Sequence, residues 1–216
     1  MAAVAWFSRV ARSRYGRQVR DYYEELWARL PDELVLPDFE LRREHLLGQV
    51  RSGDRALDLG CGIGDVTALL AGAGAVPVGV EVANAALARA RARHPALEFR
   101  LAPIDGRLPF EDCSFDLVWS SEVIEHVADT GAWLSEVRRV LTPRGRFALS
   151  TPAQGRLRIV LHGLERYAEP LGDHLHLYTR RSLRTVLADL GFFQIEVRAV
   201  GGAPLLRRIL LARAVR

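Results

Sequence analysis

The sequence contains no lysine: all 30 of its basic residues are arginine. With its abundant alanine, this bias is the imprint of a GC-rich genome and carries no functional information. Cysteine is nearly absent as well, with only Cys61 and Cys113. Two isolated cysteines build neither a disulfide framework nor a CxxC-type zinc cluster, so the reading is a reduced, cytoplasmic protein. No apolar run approaches the roughly twenty residues needed to cross a bilayer, and the opening residues lack the continuous apolar stretch of a secretory signal. Neither insertion nor export is therefore expected. Repeats and low-complexity linkers are missing too. What remains is a chain of 216 residues, 49% hydrophobic, enough for one α/β domain with a modest extension.

The net charge of +4 is concentrated at the ends, in Arg9, Arg12, Arg14, Arg17 and Arg20 and again in Arg207, Arg208, Arg213 and Arg216. The first group reads as a lid or a solvated helix rather than a nucleic-acid arm. In the second, Leu205, Leu206, Ile209 and Leu210 fall on one side of a possible helix. That pattern suits either a terminal helix docked on its own domain or a peripheral contact with an anionic membrane surface.

Residues 1 to about 50 read as helices broken at Pro31 and Pro37, because Tyr22, Tyr23, Leu26, Trp27 and Leu30 recur at helical spacing. From Arg55 onward, short apolar runs alternate with helical stretches. The pattern predicts strands near 55–59, 76–81, 97–101, 115–120, 145–151 and 193–200, and helices near 64–73, 84–93, 130–141 and 180–190. Alternation of this kind forces parallel pairing through crossovers, hence an α/β, Rossmann-like open sheet, mostly parallel, with helices on both faces. The expected organisation is an N-terminal helical cap over 1–50, a core over 51–200 and a basic tail over 201–216. Within the core, 152–179 is an insertion rich in His, Gly and Pro. After the strand near 193–200 no clear seventh strand is expected.

The run from Ala56 to Thr67 reads as a strand, a tight glycine turn and a helix start. Glycines let the backbone turn sharply and let a ligand press against it, while the helix N-terminus offers unpaired N–H groups. A dinucleotide turn needs GxGxxG, but here the glycines are Gly60, Gly62 and Gly64, and Asp65 fills the place of the third. Asp65 would repel a pyrophosphate, which argues against an NAD-dependent oxidoreductase. Asp58 suits a cationic amino group instead. Seventeen residues beyond Gly64, Glu81 closes a strand, where a carboxylate can accept two hydrogen bonds from a diol.

The segment Asp58-Leu59-Gly60-Cys61-Gly62-Ile63-Gly64-Asp65 resembles the first motif of the class I S-adenosylmethionine-dependent methyltransferases. The resemblance covers about residues 45 to 200 and is closest to the small-molecule O-methyltransferases of quinone biosynthesis. It implies S-adenosyl-L-methionine as cofactor, with Asp58, Gly60, Cys61, Gly62 and Gly64 around its amino-acid end and Glu81 and Val82 at the ribose. Adenine falls to Asp105, one residue closer to the Leu108-Pro109-Phe110 run than the family's pattern, or to Ile104, and Ser120 and Ser121 complete the cofactor set.

In open sheets ligands bind beyond the carboxyl ends of the strands, which puts Glu122, Glu125 and His126 near the transferred methyl, expected on one helical turn. Two carboxylates and an imidazole can act as acid and base or hold a divalent metal. The pairing of Glu122-x-x-Glu125-His126 with Asp173-His174 and the Tyr178-Thr179-Arg180 run is also similar to metal-dependent RNA 2′-O-methyltransferases. That resemblance implies magnesium or manganese held by Glu122, Glu125, His126 and His174. For the acceptor, Arg156, Arg158, His162, Arg166, His174, His176 and Tyr178 are candidates for binding an anionic or hydroxylated small molecule.

The leading expectation is methyl transfer to a small molecule, at oxygen before nitrogen. RNA ranks second, since it would need a continuous basic path with stacking aromatics. DNA is not expected as a partner. A reading of another class is a non-catalytic binding protein that keeps the nucleotide fold, against which the intact Asp58, glycines and Glu81 speak. Oligomeric state is not legible in the sequence.

Overall fold

The computed structural model describes residues 18–31, 38–104, 106–154, 174–204 and 206–216. Two helices precede the sheet: α1 over 18–29 and α2, Phe39–Leu47. The core then alternates as β1 (Arg55–Leu59), α3 (Asp65–Gly72), β2 (Val76–Glu81), α4 (Asn84–Arg93), β3 (Glu98–Leu101), β4 (Phe115–Ser121), a single 3-10 turn (Ile124–His126), α5 (Thr130–Val140), β5 (Leu141–Pro152), α6 (Arg180–Asp189), β6 (Phe193–Val200) and β7 (Ile209–Val215). The strand order is β3-β2-β1-β4-β5-β7-β6. All pairings are parallel except those of β7, which runs antiparallel to both β5 and β6.

Successive residues of a strand point to opposite faces, and the core shows this directly. Leu57, Val118, Phe147 and Leu149 join one cluster with Leu134, Val137 and Val140 of α5 and Leu183 and Leu187 of α6. Their neighbours Ala56, Leu117, Trp119 and Ala148 join a second cluster with Leu46 of α2 and Leu70 of α3. Burial on both faces explains why the strands read as nearly continuous apolar runs. Two helices start where side chains serve orphan N–H groups: Asp129 accepts from Ala132 N at α5, and Thr179 and Ser182 form a reciprocal capping box at α6.

Every predicted strand and core helix is present, but the tail is corrected. Residues 209–215 form a seventh strand, not a helix. Ile209, Leu210, Leu211, Ala212 and Ala214 are buried in the sheet, so Ile209 and Leu210 form no apolar face for a membrane, and the stretch is part of the core rather than an appendage. The misreading has a simple cause: a strand buried on both faces shows no alternation, and ILLARAV matches a helical stripe equally well. Leu205 lies outside the described residues. β5 begins at Leu141, earlier than expected, because the Pro143-Arg144-Gly145 turn is absorbed as an irregularity between the Phe115 and Leu117 pairings. Among the described residues, no helix is long and apolar enough to cross a membrane.

Candidate active site

The carboxyl ends of β1 and β2 bring the glycine turn, Asp58 and Glu81 together. Gly60, Gly62 and Gly64 have φ of 84°, 52° and 86°, a left-handed backbone that side chains resist. Space forbids them too: a Cβ on Gly60 would lie 2.3 Å from Val123 Cγ2, and one on Gly64 2.7 Å from Phe99 Cζ. The turn is pinned from below, since the N–H groups of Gly60 and Cys61 both donate to Val80 O. Cys61 Sγ is buried with Leu87, Ala90 and Phe99, so this residue shapes the turn through its backbone.

Asp58 is 2% exposed and accepts a hydrogen bond from Thr67 Oγ1 at 2.7 Å. Burial pushes its carboxyl up to about 7, with the Glu81 charge adding to the effect. Glu81 is 7% exposed and accepts from the backbone N–H groups of Gly62 (3.1 Å), Val82 (2.7 Å) and Ala83 (3.3 Å). Burial raises its carboxyl as well, against those three bonds. Two acids close together and out of water favour a ligand that brings positive charge and hydroxyl donors. Ser120 Oγ donates to Leu59 O and Ser121 Oγ meets Ser150 Oγ, so both serines tie neighbouring strands together at this edge. Ile104 is half-buried in the bend after β3, while Asp105 lies outside the described residues.

The second half of the site lies beyond β4 and β5. The expectation of one helical turn for Glu122, Glu125 and His126 is corrected: Glu122 sits at φ 56°, and the helical turn covers Ile124–His126 alone. Glu122 consequently leaves the other two, pairing with Arg42 of α2 at 3.2 Å and accepting from Ser150 Oγ at 3.1 Å. Glu125 is 1% exposed and points inward, where Thr151 Oγ1 donates to its Oε2 at 2.9 Å. His126 Nε2 lies 3.8 Å from Glu125 Oε1, and the His126 and His174 rings meet edge-on at 4.8 Å. One ligand atom from each of Glu125, His126 and His174 fits within 4.8 Å of the others. Burial, then the Glu122 charge, raises the Glu125 carboxyl to about 8, against the pull of His126 and Thr151.

The strip that carries His174 is docked by backbone bonds: the N–H groups of Leu175 and His176 donate to Glu125 O. His176 Nε2 is 2.9 Å from Val127 O and Tyr178 OH is 3.3 Å from Thr130 Oγ1, so both serve this docking. Arg156, Arg158, His162, Arg166 and Asp173 lie outside the described residues. Sequence reasoning missed Arg42, Ser150 and Thr151, which complete the acidic half. A polar pair within an apolar strand, Ser150-Thr151, was the one available signal.

Residues 57–149 match a family model described as a methyltransferase domain. The chain is similar to the ubiquinone biosynthesis O-methyltransferase of Bradyrhizobium sp., 39% identical over 104 residues that cover 46% of this chain and 40% of that protein. It is also similar to the 27-O-demethylrifamycin SV methyltransferase of Amycolatopsis mediterranei, 34% identical over 139 residues covering 58% of this chain and 45% of that one. The chain thus spans less than half the length of these two relatives. Its fold matches the crystal structure of an S-adenosylmethionine-dependent methyltransferase from Mesorhizobium loti, with a TM-score of 0.65 and 24% identity over 82% of this chain and 96% of that one.

Proposed function

We propose, from the premise that residues 57–149 form a class I S-adenosylmethionine-dependent methyltransferase domain, that this chain transfers the cofactor's methyl group to an oxygen of a small molecule. The observation that carries the cofactor half is the buried pair Asp58 and Glu81 around a glycine turn fixed by Val80 O. Asp58 receives the ammonium of the amino-acid end, and Glu81 receives the ribose hydroxyls. The acceptor lies against Glu125, His126 and His174. Methyl transfer from a sulfonium depends mostly on in-line positioning, and a neutral hydroxyl acceptor must also lose a proton. His126 or His174 accepts that proton, and the Glu125 carboxyl, whose Oε1 lies 3.8 Å from His126 Nε2, orients the imidazole. The small-molecule and oxygen assignments are supported by the names of the two curated relatives.

Calorimetric titration with S-adenosylhomocysteine tests the cofactor half, with Asp58→Ala, Glu81→Ala and NAD as controls. Micromolar binding lost in both variants, with none for NAD, is the expected result; no binding by the wild type overturns the reading. A second reading is favoured by the convergence of Glu125, His126 and His174: the three hold magnesium or manganese, which would lower the pKa of a bound acceptor hydroxyl. Three donors of this chemistry fit such an ion, although Glu122, expected as a fourth, is engaged by Arg42 and Ser150. Manganese titration with a His174→Ala control decides between the two readings.

A further inference from the structure

A buried tryptophan usually places its indole N–H on a partner, because a donor taken from water without one is costly. Trp119 departs from this. It stands on β4, is 1% exposed, and its Nε1 has no hydrogen-bond partner among the described residues. The His45 ring that packs beside it, at 6.1 Å between centroids, commits its Nε2 to Ala212 O. Phenylalanine would pack in the same place without an orphan donor.

The indole borders a cleft between α2 and α3. Phe39 of α2 and Val66 and Leu69 of α3 give it apolar walls, and Arg42 and Ser121 line it as well. Its volume of about 20 Å³ admits a group the size of a water. Water itself is a poor occupant, since it needs roughly two to four polar partners and the other polar groups are engaged. Arg42 pairs with Glu122, Arg43 at the rim with Glu40, and Ser121 Oγ meets Ser150 Oγ. A carbonyl oxygen on an apolar body matches better, with one acceptor for one donor and carbon against Phe39, Val66 and Leu69. A carboxylate matches less well, because Glu122 and Glu40 already neutralise the two guanidinium groups.

Strand alternation joins this cleft to the acceptor half of the site. Trp119 and Ser121 point to the same face of β4, and Ser121 pairs with Ser150 of β5, whose hydroxyl donates to Glu122. Arg42, on the opposite side, lines the cleft and holds the same glutamate. We propose that the cleft is a specificity subsite for the methyl acceptor: it seats an apolar arm ending in a carbonyl, whose oxygen accepts from Trp119 Nε1. The acceptor is then a hydroxylated molecule that also carries a ketone, ester or amide. Its role as acceptor rests on the methyltransferase reading above, whereas carbonyl binding in the cleft does not.

Indole N–H spectra of the full chain by NMR follow the cleft directly, with Trp119→Phe identifying the signal among four tryptophans. Titration with acetophenone is expected to move the Trp119 indole proton downfield and to saturate. α-Methylstyrene, with a methylidene in place of the oxygen, is expected to bind at least about tenfold more weakly. Leu69→Trp, which fills the cleft from its half-buried wall, abolishes the shift. An indole proton indifferent to acetophenone overturns the subsite, and benzoate binding more tightly than acetophenone overturns the neutral carbonyl. For the acceptor role, phenols carrying a ketone arm are expected to show a KM at least about fivefold below that of their methylidene counterparts, with similar kcat. Trp119→Phe erases that difference and leaves S-adenosylhomocysteine affinity within about twofold. Equal KM values in the wild type overturn the acceptor role. Failure of the wild type to bind S-adenosylhomocysteine overturns the methyltransferase reading and the acceptor role with it, while the indole titration decides the cleft in either case.

Discussion

The two halves of the site are built in different ways. At the ends of β1 and β2, Glu81 is held by backbone N–H groups at positions 62, 82 and 83, and Asp58 by Thr67 nine residues along the chain. At the ends of β4 and β5, Glu122 and Glu125 are held by the side chains of Arg42, Ser150 and Thr151, and the His174 strip arrives from a fourth segment. The first half is nearly rigid because backbone geometry makes it. The second depends on side chains, so single substitutions there can alter chemistry while the cofactor turn is untouched.

The sharpest way to break this contrast is Gly60→Ala. The left-handed φ and the approach of Val123 leave no room for a methyl group, so S-adenosylhomocysteine affinity is expected to fall by at least about a hundredfold in calorimetry. Retained affinity would mean that the turn is softer than its geometry. Next in size is Glu125→Gln, expected to lower methyl transfer by about a hundredfold and leave cofactor affinity within about twofold, with Thr151→Val lowering it by about tenfold. A parallel loss of cofactor affinity would show that the halves are not separable.

The halves also share a pH response. Asp58 and Glu125 keep their protons in the folded chain at pH values where the unfolded chain has lost them. The stability they confer is complete below their ordinary values of 3.8 and 4.5, and it declines as pH rises to about 7 for Asp58 and about 8 for Glu125. The melting temperature of the ligand-free protein is expected to fall between pH 4.5 and 8, more shallowly in Glu125→Gln. An ammonium beside Asp58 draws off its proton, so ligand binding near pH 7 is expected to release a fraction of a proton, measurable by calorimetry in buffers of different ionisation enthalpy. The smallest effect belongs to Arg213→Ala, which breaks an exposed pair with Glu196 and is expected to leave the urea-unfolding midpoint almost unchanged.

The same contrast governs what the sequence disclosed. Asp58, the three glycines and Glu81 were legible because one strand-turn-helix unit and the next strand place them, and their φ values demand glycine. Glu125 and His126 were legible as chemistry but not as geometry: the left-handed backbone of Glu122 separates it from them, and nothing in a glutamate foretells that. Arg42 and Thr151 were invisible because their partners lie across the fold. The seventh strand was missed because burial on both faces erases the alternation that marks a strand.

That strand has a consequence for the order in which the molecule forms during translation. Among the described residues, β6 joins the sheet only by way of β7, yet β7 follows it in the chain and inserts between β6 and β5. As the chain emerges from the ribosome, β1 to β5 can pair as soon as they appear. β6 cannot join them: it waits beside α6 with both edges unpaired until 209–215 emerges and zips antiparallel into the gap. Until 209–215 is in place, the β5 edge of the sheet stays unpaired and β6 has no strand to join, so the sheet's closure on that side depends on the last strand of the chain described.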